Sequence, residues 1–162
     1  IEEREAKCPA VVILPDRDYY PAVERLIERA NRSVLIAVFA MKYDPKEIND
    51  PVNVLLERLA EAYERGVEVR VVVDDVTYES YRETIEYLVE RGIPVRLDPR
   101  GDTKTHVKMV IVDGERLVVG SHNWTESALS FNKELSVLIV SEELAERATE
   151  YFEDLWSRGR IP

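Results

Sequence analysis

The chain has 162 residues, a formal net charge of −10 and one cysteine, Cys8. That length suits one domain with a sizeable core, and residues 1–162 are read as such a domain. The lone cysteine excludes an intrachain disulfide, the acidic balance argues against a broadly basic nucleic-acid binder, and no stretch approaches the roughly 20 apolar residues of a membrane-spanning helix.

In chain order, residues 10–14 read as a short strand and 19–30 as an amphipathic helix. Residues 33–40 form an apolar strand, too hydrophobic for an exposed face, and 41–50 a polar loop. Asp50-Pro51 supplies an N-cap and a first helical position, and the helix runs to Gly66, a C-terminal stop. Residues 67–73 make the next strand, ending in Asp74-Asp75. A helix over 79–91 stops at Gly92, and a strand over 93–97 follows. After residues 106–123 come a short helical piece from Thr125, a strand over 135–140 and a last helix from Glu142, whose acidic run, Glu142 to Asp154, reads as a solvated face. Strand and helix alternate throughout, which predicts an α/β fold: a mixed β-sheet flanked by helices on both faces. The loops after Ala40 and Val73 follow strand ends, where open α/β sheets place ligands.

Residues 106–123 read HVKMVIVDGERLVVGSHN. Six positions carry a pattern: His106, Lys108, Asp113, Gly120, Ser121 and Asn123. The alternating, β-branched run 106–112 predicts a strand. Side chains two apart on a strand share a face, roughly 7 Å apart, so His106 and Lys108 are placed together. An imidazole suits nucleophilic attack or proton transfer near neutral pH, and a lysine beside it offers fixed charge to phosphate oxygens. Asp113 lies an odd number of residues from His106, aimed at the opposite face. It precedes Gly114, and Asp-Gly between apolar runs signals a hairpin, so Asp113 is read as structural. Gly120 permits close approach of a ligand or another backbone, and Ser121 and Asn123 offer neutral donors. His122 points the other way, at most toward the cleft mouth, with no catalytic role assigned.

This pattern resembles the HKD motif of the phospholipase D superfamily, and the single copy resembles its small, Nuc-type endonuclease branch. The likeness covers residue 10 to the C-terminal helix. It implies catalysis by His106 and Lys108, phosphate binding by Lys108, Ser121 and Asn123, and structural roles for Asp113 and Gly120. It also implies that Glu134, at the entry of the 135–140 strand, hydrogen-bonds the catalytic imidazole, as the acid does in a Ser-His-Asp triad. No metal and no cofactor are expected; Asp74-Asp75 stands without a His/carboxylate cluster around it. The family reaction uses two histidines, one forming a phosphohistidine and one protonating the leaving oxygen. One motif per chain therefore implies a homodimer with the site on the two-fold axis.

Three functions follow, in order: a metal-independent phosphodiesterase acting as an endonuclease on DNA or RNA, a lipid phosphodiesterase, and a non-catalytic nucleic-acid-binding module. Arg96, Arg100, Lys104 and Lys108 offer a local positive cleft on the acidic chain. The start at Ile1 rather than Met is compatible with a mature or trimmed form of an exported or membrane-anchored protein, with membrane association through a segment not present here; the compartment stays open. The absence of glutamine, with many Glu, Arg and Val, fits a thermophilic source.

Overall fold

The structure, a computed structural model, describes residues 8–100 and 102–162; the expectations attached to Ile1 lie outside them. Among the described residues, seven strands form one sheet: β1 (Ala10–Pro15), β2 (Ser33–Val38), β3 (Glu68–Val73), β4 (Val95–Leu97), β5 (Lys108–Val112), β6 (Arg116–Gly120) and β7 (Leu135–Val140). Their spatial order is β1-β7-β6-β5-β2-β3-β4. The β2–β3 and β3–β4 pairs are parallel and the others antiparallel, so the sheet is mixed. The helices are α1 (Tyr19–Glu28), α2 (Pro51–Glu64), α3 (Asp75–Ser80), α4 (Arg82–Glu90), α5 (Glu126–Ser130) and α6 (Glu142–Arg158). The parallel pairs are the ones joined by helical crossovers, as parallel strands require.

Helices cover both faces. Val23 and Ile27 of α1, Leu55, Leu56 and Leu59 of α2 and Leu88 of α4 pack with Ile36, Val71 and Val110 in one core. On the other face Ala145, Phe152 and Leu155 of α6 pack on Leu35, Ile111 and Leu117. The strand period of two sends alternate residues to these two cores. In α2, Val52, Leu55, Leu56 and Leu59 recur at helical spacing and are fully buried; each such side chain contributes about 2 kcal/mol over remaining exposed. Asp50 caps α2, accepting from Val52 N at 2.8 Å.

Two predicted elements differ. The helix expected over 79–91 is two helices, broken at Tyr81 with φ −136° and ψ 53°. Asp74 caps α3 directly after β3. The break lets two buried threonines reach one residue: Thr77 Oγ1 accepts from Met41 N at 3.2 Å and Thr84 Oγ1 donates to Met41 O at 2.9 Å. The strand expected from residue 106 begins at Lys108, and His106 lies exposed in the irregular segment before it.

Candidate active site

Sheet order brings the motif to one end of the molecule. The C-terminal ends of β2 and β6 and the starts of β5 and β7 meet there: Val38 pairs with Lys108, and Gly120 with Ser136. An open depression of about 590 Å³ lies at this end, lined by Phe39, His106, Lys108, Gly120, Ser121 and Asn123, among others.

His106 and Lys108 are in contact. Lys108 Nζ lies 3.0 and 3.2 Å from the two ring nitrogens of His106 and donates to the His106 carbonyl at 2.7 Å. Burial pushes the Lys108 ammonium below its usual pKa, and the negative charge of Glu134 opposes that shift. Phe39, absent from the motif, tilts against the imidazole with ring centroids 4.7 Å apart. The same ring lies 5.4 Å from Lys108 Nζ and 5.7 Å from Lys104 Nζ, so two cations flank an aromatic at the cleft floor. The pattern that could have revealed it is position alone, since Phe39 is the first residue after β2.

Of the other cations, Arg96 stacks on Trp156 at 4.5 Å and bonds its carbonyl. Arg100 pairs with Asp102 at 3.4 Å. Lys104 and Lys108 are the two cations of that group beside Phe39.

Asn123 is held by its oxygen, which accepts from Ala40 N at 3.1 Å. Its amide nitrogen is thereby left to donate toward the cleft. The following residue fixes the loop after β2: Trp124 N donates to Ala40 O at 3.0 Å and Lys42 N to Trp124 O at 2.8 Å. Trp124 itself is fully buried, with its indole N–H donating to Tyr19 Oη at 3.0 Å.

Within one chain Glu134 does not hydrogen-bond His106 among the described residues. Its carboxylate instead accepts from the Ser121 hydroxyl and, at 3.1 Å, from Asn132 Nδ2. The reason is the sheet order: β6 lies between β7 and β5, which sets the two roughly 10 Å apart, and the end of β6 presents Ser121. Ser121 Oγ also accepts from Leu135 N at 3.0 Å. Its hydroxyl proton is therefore given to Glu134, and a phosphate would have to compete for it.

His122 does not line the cleft mouth; it is fully buried. Its Nε2–H donates to Asp16 O at 2.8 Å, Ser136 Oγ donates to Nδ1 at 2.7 Å, and the ring stacks on Tyr19 at 4.3 Å. Burial holds its pKa below the usual imidazole value, against the Asp16 carbonyl.

Asp113 faces away from the cleft. It and Gly114 adopt φ +54° and +64°, the two left-handed residues of a tight hairpin turn. Its Oδ1 accepts from Asn31 N, Arg32 N and Ser33 N at 3.1, 2.7 and 3.0 Å. Burial opposes its ionisation, but those donors and the Arg32 charge outweigh it and hold the carboxyl below the usual range. At Gly120 the close neighbour is backbone: an added Cβ would lie 2.4 Å from Leu135 O and from Ser136 Cα. Asp75 is paired with Arg160, and the Asp74 oxygens accept from Val76 N and Thr105 N.

An exposed imidazole against a lysine ammonium, with a neutral amide beside them at the end of an α/β sheet, defines a phosphoryl-transfer type of site. The comparisons name the family. The sequence profile described as cardiolipin synthase, PLD-like domain, matches residues 23–156, and the chain belongs to the phospholipase D superfamily, in its single-motif, Nuc-type branch. A mitochondrial cardiolipin hydrolase of Chlamydomonas reinhardtii is 31% identical over 127 residues, covering 78% of this chain. The match spans 52% of that relative, about half its length. One from Xenopus tropicalis is 30% identical over 155 residues, covering 94% of this chain and 67% of the relative. The crystal structure of Nuc from Salmonella typhimurium, a phospholipase D family member, superposes with a TM-score of 0.79 at 28% identity, covering 94% of this chain and 97% of Nuc. The chain is thus a phospholipase D-like phosphodiesterase family member.

Proposed function

We propose that the chain is a metal-independent endonuclease, hydrolysing DNA or RNA as a homodimer through a phosphohistidine on His106. The supporting observation is the shape of the site. His106 stands exposed in a shallow, open depression flanked by Lys104 and Lys108. A polyanionic strand can cross such a surface with its bases left in solvent, whereas a phospholipid would need an apolar slot for its acyl chains.

In this reading an imidazole nitrogen of His106 attacks phosphorus, and the bond to the leaving oxygen breaks as that oxygen takes a proton from the partner subunit's His106. Water, deprotonated by that second imidazole, then attacks the phosphohistidine, returning His106 and releasing a phosphate monoester. Lys108 and the Asn123 amide hold the non-bridging oxygens. Glu134 fixes Ser121 and adds negative charge near Lys108.

The second histidine must come from another copy. The chain has two histidines, and both nitrogens of His122 are engaged inside the core. A face for that copy exists beside the site. On the α6 side of the sheet, Val11, Ile13 and Leu135 are 52%, 56% and 55% exposed; Val11 and Ile13 of β1 pair with Ile139 and Val137, which share that face of β7 with Leu135. Apolar strand residues left open in this way suit an isologous contact.

The competing reading is hydrolysis of a phospholipid, favoured by the cardiolipin hydrolase name of the relatives. Both are tested by assaying wild type and His106→Asn in EDTA on single- and double-stranded DNA and RNA and on cardiolipin vesicles. Nucleic-acid cleavage by wild type alone is expected. Cleavage confined to vesicles would replace the nuclease with the lipid enzyme, and equal cleavage by both proteins would sink the role of His106.

A further inference from the structure

Two buried carboxyls outside the motif converge on the residue that precedes His106. Asp74 follows β3 and caps α3, its Oδ1 accepting from Val76 N at 3.1 Å. Asp98 follows β4, its Oδ1 accepting from Arg100 N at 2.9 Å. Their remaining oxygens accept from one donor, the Thr105 amide, at 2.8 Å from Asp74 and 2.7 Å from Asp98. Asp74 is 5% and Asp98 2% exposed. Helix capping accounts for one Asp74 oxygen and the local turn for one Asp98 oxygen. Neither accounts for two acids meeting on a single N–H.

We propose that Asp74 and Asp98 form one positioning unit for His106, clamping the Thr105 amide from two strand ends so that the next residue presents its imidazole at the cleft. His106 needs such a device. It lies outside β5, it is exposed, and Glu134 of its own chain does not reach it. Thr105 is buried and is the fixed backbone point beside it. Small displacements of a reacting group are costly in rate.

Two ionised carboxylates at this separation repel, so the pair is stable with one proton between them. Burial is the main cause that raises the Asp74 pKa, and the hydrogen bond and charge of Asp98 add to it, against the N–H groups of Val76 and Thr105. The surrounding charges are Asp75 on α3, Arg100, Lys104 and His106 on the segment between β4 and β5, Arg158 on α6, and Arg160, which donates to the Asp98 carbonyl at 2.8 Å and pairs with Asp75. When pH rises through the Asp74 pKa the proton leaves, two negative charges face each other, and the clamp loosens. The turnover rate then falls as pH rises through that pKa, which lies above the ordinary carboxylate value. Asparagine at either position supplies an N–H in place of the shared proton and leaves the other acid as the acceptor for Thr105.

The inference rests on His106 as the nucleophile, and the test separates the two. Hydrolysis of bis(p-nitrophenyl) phosphate is followed against pH for wild type, His106→Asn, Asp98→Ala, Asp98→Asn and Asp74→Asn, together with the amide NMR signal of Thr105. Asp98→Ala is expected to lower kcat roughly tenfold or more with KM little changed. The two asparagine variants are expected to recover kcat and to lack the fall that wild type shows as pH rises through the Asp74 pKa. The Thr105 signal should titrate with that fall in wild type and stay flat in the asparagine variants. A folded Asp98→Ala with unchanged kcat overturns the proposal, as do asparagine variants that keep that fall. If Asp98→Ala does not fold, the asparagine pair decides. If wild type shows no His106-dependent cleavage, the nucleophile reading fails and the Thr105 titration alone decides the clamp.

Discussion

Asp113 shows what one side chain fixes. Its carboxylate closes three backbone N–H groups of the turn before β2 while its own backbone makes the β5–β6 hairpin. Asp113→Asn keeps Oδ1 as an acceptor and the tolerance for positive φ, and removes the charge together with the Oδ2 contact to Asn31 N at 3.1 Å. Because the folded pKa is depressed, the stabilisation is complete above the unfolded value and is lost as pH falls through the folded one. The variant is expected to be about 2 kcal/mol less stable than wild type at neutral pH, with the gap closing as pH falls below the ordinary carboxylate value and through the lowered folded one. Urea unfolding at several pH values checks it, and a gap that persists in acid would show that the charge is not its source. The hairpin was legible in Asp-Gly, and strand parity turned Asp113 away from His106. Its partners were not legible, because residues 31–33 lie some 80 positions upstream. The intrachain partner of Glu134 was hidden for a related reason. Spacing along the chain placed it at the motif, but only the strand order shows that β6 intervenes and that Ser121 receives the contact.

At the scale of elements, the β6–β7 pair carries the phosphate side of the site. Gly120→Ala would put a methyl 2.3 Å from Ser136 Oγ and 2.4 Å from Leu135 O, and the backbone cannot swing aside. A loss of about 3 kcal/mol is expected, with activity reduced further as Ser121 and Glu134 separate; thermal unfolding and cleavage assays check both. A wild-type melting temperature would mean that the strands part without cost. His122 ties β6 to β7 and to Asp16, and burial keeps it neutral. Its folded pKa lies below the unfolded value, so the unfolded chain binds more protons in the window beneath about pH 6.5. Stability should fall there by up to about 1.4 kcal/mol per pH unit, and His122→Asn should flatten the curve if it folds as wild type does. Most strands and α2 were legible from period, caps and glycine stops. The α3–α4 break was not, because Thr77 and Thr84 turn toward Met41, a tertiary demand that no local pattern encodes. The late start of β5 has the same origin: Thr105 is held by Asp74 and Asp98 instead of by a sheet neighbour.

For the whole molecule the decisive matter is how many copies make one site. A mechanism with a nucleophile and a separate acid needs two imidazoles, and one chain exposes one. If the proposed dimer shares a single centre, a dimer is active only when both copies carry His106. Wild type mixed with an equal amount of His106→Asn, unfolded together and refolded, gives about one quarter wild-type dimers by random pairing. Activity per total protein should then fall to about one quarter of pure wild type. Independent sites in each chain would leave about one half. The same mixture without exchange of copies also leaves one half, so exchange must be shown first, with tagged chains captured as pairs. The apolar strip of Val11, Ile13 and Leu135 supplies a control at this scale. Ile13→Lys places a charge where strands β1 and β7 lie open, far from any motif residue in sequence. It should shift sedimentation toward the monomer and reduce cleavage in proportion, with activity returning as protein concentration rises. A monomeric variant that cleaves at the wild-type rate would show that His106 finds its acid within one chain.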